Sequence, residues 1–205
     1  MNGRFVTLEG GEGVGKSTQA KALAAALRDR GLGVVETREP GGSPGAEAIR
    51  GLLLHEQQWT PEAEALLFAA ARADHVARTI RPALDAGKWV LCDRFVDSSI
   101  AYQGGAGGLG FDAVRALHRF GSHGFLPDRT LLLDLPESEA DRRAKGRDGH
   151  GADLIGGRGA DYHKGVARAF RALAEAEPGR YRIVDASGEP ETVTARLLAA
   201  LEDLL

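Results

Sequence analysis

An α/β fold, with a central parallel sheet flanked by helices, is predicted for this chain of 205 residues. Three observations predict it. Short apolar, β-branched runs alternate with longer runs of helical spacing along the chain, which demands crossover connections and a sheet covered on both faces. A glycine-rich turn separates the first of these strands from the first helix, and sheets of this kind bind ligands at the carboxyl ends of their strands. Hydrophobic residues make up 43% of the chain, enough for one compact domain over 1–205.

The elements follow in order. "RFVTLE" (Arg4–Glu9) has the apolar, β-branched character of a buried strand. "KSTQAKALAAALRDR" (Lys16–Arg30) is rich in alanine and leucine at helical spacing, and Gly31 stops it. "GVVET" (Gly33–Thr37) is a second strand, and "REPGGSPG" (Arg38–Gly45) reads as loop from its prolines and glycines. Thr60 and Pro61 form an N-cap and first-turn pair for a long helix to about Ala86. "KWVLCD" (Lys88–Asp93) is a buried strand ending on an acid. "GGAGGLG" (Gly104–Gly110) reads as a flexible loop before a helix near Asp112–Phe120. "RTLLLDL" (Arg129–Leu135) is a strand, followed by a helix of mixed charge from about Pro136 to Lys145. The glycines of "GRDGHGADLIGGRG" (Gly146–Gly159) predict a mobile lid or loop. A helix over Ala160–Ala176, a strand over Arg180–Ala186 and a helix from about Pro190 complete the pattern.

Several function classes are excluded by composition. A net charge of -3 lacks the concentrated basic face that a nucleic-acid polymer demands. The single cysteine, Cys92, allows no internal disulfide and no cysteine-rich metal site, and it fits a reducing compartment. The N-terminus shows no secretory h-region, and no apolar run is long enough for a membrane span. These features predict a soluble, cytoplasmic protein.

Gly10-Gly11-Glu12-Gly13-Val14-Gly15-Lys16-Ser17 fits G-x-x-x-x-G-K-[ST], the phosphate-binding P-loop, in its required strand–turn–helix setting. Glycines let backbone N–H groups turn in around phosphate oxygens, and the helix N-terminus adds positive potential. Lys16 is then placed to bridge the outer phosphates of a nucleoside triphosphate, with the Ser17 hydroxyl offered to Mg²⁺. A guanine-specific switch protein reads its base with N-K-x-D, and the only asparagine here is Asn2. Asp148-Gly149-His150-Gly151 matches D-x-x-G but falls late, inside the glycine-rich segment, and reads as chance. Asp93 and Arg94, ending a strand, suit a Mg²⁺ site and a bidentate phosphate clamp respectively. "SSIAYQGG" (Ser98–Gly105) groups hydroxyls, an aromatic ring and an amide that suit a hydrogen-bonded heterocycle.

Five segments, "LEGGEGVGKSTQ", "TREPGGSPGAEAIRGLLL", "EALLFAAARADHV", "CDRFVDSSIAYQGG" and "FLPDRTLLLDLPESEADRRAKGR", resemble thymidylate kinases in their order and spacing, over nearly the whole chain. The resemblance implies a P-loop nucleoside monophosphate kinase fold with a small mobile lid over about 142–159. It implies transfer of the γ-phosphoryl of ATP to dTMP, with Mg²⁺, by a homodimer. The P-loop residues from Gly10 to Ser17, with Thr18, would bind ATP. Phe68 would stack on thymine, and Arg72, one turn on along the same helix face, would bond its edge. Ser99 and Gln103 would meet the polar edge of the base, and Tyr102 would line the sugar and disfavour a 2′-hydroxyl. Arg94, with Arg38 and Arg50, would hold the acceptor phosphate, and Pro40 would shape the wall. Glu12, the one acid in the P-loop, would accept from the 3′-hydroxyl of dTMP or reach Mg²⁺ through water. The loop carries no arginine, so the chain resembles the lid-arginine type, with Arg143 and Arg147 closing over the ATP phosphates.

The chain departs from the family pattern in places. Phe95 replaces the tyrosine of D-R-Y, Gly107 and Gly108 occupy a region that commonly carries an arginine, and Asp153-Leu154-Ile155-Gly156 stands where D-R-[apolar]-E is usual. Two alternatives therefore accompany thymidylate kinase activity: a kinase for another or modified pyrimidine deoxynucleotide, and a nucleotide-binding homologue with weakened catalysis.

Overall fold

In the computed structural model, residues 3–56, 59–136, 138–140, 142–143 and 156–205 are described, the side chains at 55 and 56 excepted. Five strands form one parallel sheet: β1 (Phe5–Glu9), β2 (Val34–Arg38), β3 (Trp89–Asp93), β4 (Arg129–Asp134) and β5 (Tyr181–Asp185), in spatial order β2-β3-β1-β4-β5. Every neighbouring pair is parallel, for example Val6 beside both Leu91 and Arg129.

Side chains alternate across a strand, and this splits the core in two. Val6, Leu8, Leu91, Leu131 and Leu133 face one layer, where they meet α1 (Lys16–Asp29) and the C-terminal helix (Pro190–Ala199) through Leu23, Leu27, Val193 and Leu197. Phe5, Val90, Cys92 and Leu132 face the other, built from Phe95, Ile100, Phe170 and Leu173. Because both faces are covered, the central strands β1, β3 and β4 are buried nearly throughout, while β2 at one edge is half exposed. The carboxyl ends of β1, β2 and β3 converge and carry Glu9, Arg38 and Asp93.

Three readings from the sequence are corrected at their boundaries. Arg38–Gly45 is not wholly loop: β2 runs through Arg38, and helix α2 (Pro44–Gly51) begins at Pro44, which needs no N–H at a first helical position. The long helix starts as expected at α3 (Pro61–His75), with the Thr60 hydroxyl accepting from the Ala63 N–H. It then loosens into a π-type turn over Val76–Ile80 before α4 (Arg81–Asp85). Pro82 has no N–H to give the preceding turn, which accounts for the change of register. The segment read as a loop from Gly104 is helical as far as Ala106: α5 (Val96–Ser99) continues as a π-type turn over Ile100–Ala106. Helices α6 (Phe111–Ser122) and α7 (Ala160–Ala176) match the expected positions. The lid segment 144–155, with Arg147, Asp148–Gly151 and Asp153–Ile155, lies outside the described residues.

Candidate active site

The P-loop connects β1 to α1 through backbone that only glycine adopts readily. Gly10, Gly13 and Gly15 have φ of 142°, 76° and 92°. A Cβ on Gly10 would lie 2.7 Å from the Leu133 carbonyl oxygen. Val14 points its side chain into the core, so it offers the loop only its backbone. Lys16 is buried, its ammonium bonded to the carbonyls of Gly10 (3.2 Å) and Gly11 (2.6 Å). Burial, aided by Arg94, lowers its pKa from 10.5 to about 8. Ser17 and Thr18 are exposed on the first turn of α1.

The Ser17 hydroxyl donates to Asp93 Oδ2 at 2.5 Å, and among the described residues Asp93 Oδ1 is a buried oxygen with no hydrogen-bond partner. A hydroxyl beside a carboxylate with a spare lone pair is a hard-oxygen donor set, which suits Mg²⁺. Among the described residues no three or more His, Cys, Asp or Glu side chains gather as a metal cage.

Arg94 follows directly with φ of 70°, a left-handed conformation that costs an arginine on the order of 1 kcal/mol. The turn is held by its N–H donating to the Leu8 carbonyl at 3.0 Å. It aims the guanidinium across the P-loop, where Nη2 donates to Glu12 Oε1 at 2.6 Å and Nη1 to the Gly10 carbonyl and the Ser98 hydroxyl, each at 3.2 Å. The guanidinium carbon lies 4.9 Å from the Tyr102 ring centroid, and the Tyr102 hydroxyl donates to the same Glu12 oxygen at 3.1 Å. Glu12 thus joins the P-loop to the neighbouring cleft.

That cleft, open to solvent, is lined by Glu12 and Ser17 at one end, and it contains every residue assigned to the acceptor from the sequence: Arg38, Pro40, Arg50, Phe68, Arg72, Arg94, Ser99, Tyr102 and Gln103. Arg38 also pairs with Glu47, and Arg50 donates to the Pro40 carbonyl at 2.7 Å. Arg72 is 2% exposed and donates to Glu39 Oε2 (2.7 Å) and Ser99 Oγ (2.8 Å). Gln103 donates to Glu64 Oε1 at 2.9 Å. Arg143 is elsewhere: it bonds Glu139 at 2.5 Å and the Ala186 carbonyl at 3.3 Å, beyond the carboxyl end of β5.

Sequence reasoning passed over the acids that hold this cleft in shape. Glu9 is fully buried and accepts from the Phe95 N–H (2.7 Å) and the Ser98 hydroxyl (2.6 Å); burial, then Asp97, pushes its pKa up to about 8. Glu39 accepts from both Arg72 and His75, and His75 in turn meets the Thr37 hydroxyl at 2.7 Å. The available signal was position, since Glu9 ends β1 and Glu39 follows β2, where a charged residue in a parallel sheet faces the ligand crevice. Cys92 beside them is buried, its thiol donating to the Arg94 carbonyl at 2.9 Å, and burial raises its pKa.

A family model described as thymidylate kinase matches residues 8–197. The chain belongs to the thymidylate kinase family. The thymidylate kinase of Rhizorhabdus wittichii is 65% identical over 207 residues, covering 100% of both chains. That of Bradyrhizobium diazoefficiens is 48% identical, over 99% of this chain and 90% of the relative. The crystal structure of thymidylate kinase from Ehrlichia chaffeensis superposes with a TM-score of 0.80 at 30% identity, covering 98% of this chain and 100% of that one. The P-loop nucleoside monophosphate kinase fold is therefore shared across the family and this chain.

Proposed function

We propose that this protein transfers the γ-phosphoryl group of ATP to dTMP, giving dTDP and ADP for dTTP synthesis. One observation carries the reading: a single cleft, lined at one end by the P-loop residues Glu12 and Ser17, holds the arginines, the ring and the amide that a pyrimidine deoxynucleotide requires. Family membership supports it. Phosphoryl transfer asks little covalent chemistry of a protein and much positioning and positive charge. Lys16 and the loop from Gly10 to Thr18 hold the ATP phosphates. Arg94, with Arg38 and Arg50, holds the acceptor phosphate, and Phe68, Arg72, Ser99 and Gln103 hold the base. Ser17 and Asp93 would hold Mg²⁺, which when bound neutralises charge on the phosphates. Glu12 takes the 3′-hydroxyl of the acceptor or a metal-bound water, and Tyr102 closes the sugar wall. Arg143 and Arg147 remain the proposed lid arginines, on a lid over about 142–159 of a single domain. We place the protein in the cytoplasm as a homodimer; among the described residues no helix is long and apolar enough to cross a membrane.

A coupled ADP-release assay across dTMP, dUMP, dCMP and dGMP tests the reading. The expected result is the highest kcat/KM with dTMP, and a loss of at least about 10²-fold in Lys16→Ala and Arg94→Ala, the scale of removing a charge-stabilising contact. Absence of turnover with any acceptor overturns it. Both alternatives drawn from the sequence rest on its departures at Phe95, Gly107, Gly108 and Asp153–Gly156; against them, Lys16, Ser17, Asp93 and Arg94 stand together beside the cleft.

A further inference from the structure

We propose that Glu64, held by Arg158, is a positioning residue that decides which edge of a base the enzyme accepts. The inference rests on the reading that the cleft takes the base at Gln103. Glu64 is 6% exposed, on the first turn of α3, and both carboxylate oxygens are engaged. Oε1 accepts from Gln103 Nε2 at 2.9 Å, and Oε2 accepts from Arg158 Nη2. Arg158 is itself fixed: Nη1 donates to the Tyr162 hydroxyl at 2.6 Å, its guanidinium carbon lies 4.7 Å from the Tyr162 ring centroid, and that hydroxyl donates to the Tyr102 carbonyl at 2.9 Å.

The chain of bonds has a direction. A guanidinium only donates, and an ionised carboxylate only accepts. Arg158 therefore keeps Glu64 as an acceptor, Glu64 takes the NH₂ end of the Gln103 amide, and the amide oxygen is the end left for the cleft. That oxygen, Gln103 Oε1, is buried and has no partner among the described residues. An oxygen in this position asks for an N–H donor. The imide N3–H of thymine or uracil supplies one, whereas N3 of cytosine is itself an acceptor and would leave two lone pairs opposed. Part of the discrimination between these pyrimidines thus originates in residues outside the acceptor cleft. Gln103 and Glu64 also line a neighbouring cavity with Trp59 and Arg158, so the amide has room to turn once its anchor is changed.

Replacing Glu64 by glutamine offers Gln103 both a donor and an acceptor and removes the direction. Steady-state kinetics of Glu64→Gln with dTMP and dCMP should show the kcat/KM ratio of dTMP to dCMP falling at least about tenfold, with the dCMP value rising in absolute terms. A general structural defect would lower both values together, and that outcome, or an unchanged ratio, overturns the proposal. Should Glu64→Gln fold poorly by its thermal transition, Arg158→Met carries the same test, with a smaller shift in the same direction. Gln103→Ala separates the two levels. If it leaves kcat/KM for dTMP unchanged, the placement of the base is wrong. If it lowers that value while Glu64→Gln and Arg158→Met keep the wild-type ratio, the base is placed correctly and the positioning role is wrong.

Discussion

Lys16 is a charge kept where charge is costly. Burial brings its pKa to about 8, so near neutral pH the free enzyme still carries the ammonium proposed to meet the ATP phosphates. Above that pH the group becomes neutral, and the sign follows: kcat/KM for ATP should be level below pH 8 and fall toward tenfold per pH unit above it. A profile that stays level to pH 9.5 removes Lys16 from this role. Motif spacing made Lys16, Ser17, Asp93 and Arg94 legible in the sequence, because a P-loop and an acid at a strand end are local patterns. Glu9 and Glu39 were legible only as acids at or just after a strand end, and Glu64 not at all. Each is a carboxylate whose meaning depends on a residue far away in the chain: Ser98 for Glu9, Arg72 for Glu39, Arg158 for Glu64. No local spacing encodes such pairs.

The helix from Val96 to Ala106 presents Tyr102 and Gln103 to the cleft, and its own placement depends on small residues. A Cβ on Gly105 would lie 2.7 Å from the Ala169 Cβ and 3.2 Å from the Phe111 ring, and one on Gly165 would lie 3.2 Å from the Ala106 Cβ. Gly105, Ala106, Gly165 and Ala169 let this helix and α7 cross closely, which brings the Tyr162 hydroxyl to the Tyr102 carbonyl. Gly105→Val should destabilise the fold by about 1–3 kcal/mol through overpacking, measured by urea unfolding, and raise KM for dTMP as Tyr102 and Gln103 shift. Unchanged stability and KM would mean that the two helices part freely. Most elements were legible from apolar periodicity, including α7 at both ends. One exception is instructive: the run of glycines at Gly104–Gly105 resembles a loop in composition, yet here glycine serves a helix crossing, and that depends on a partner helix some sixty residues later in the chain.

At the scale of the whole molecule, α3 and α6 pack against each other and carry Leu66 at 55% and Phe120 at 90% exposure. Large apolar side chains left in water on adjoining helices suit a face shared by two copies of the chain. Phe120→Asp should shift the mass measured by light scattering from dimer to monomer, and a wild-type protein already of monomer mass ends the homodimer proposal. The doubly covered sheet was legible from the alternation of strands and helices, because burial on both faces imprints continuous apolar runs. The surface that a second copy would cover leaves no such imprint.

Cys92, the lone thiol, is the next-to-last residue of β3, with Asp93 and Arg94 directly after it. A thiol that is buried and held protonated reacts with an alkylating reagent only when the strands around it part. The molecule thus carries a chemical clock on the strand between β2 and β1. Its ticking rate reads how often the floor beneath the P-loop and the cleft opens, and how far an added nucleotide holds it shut.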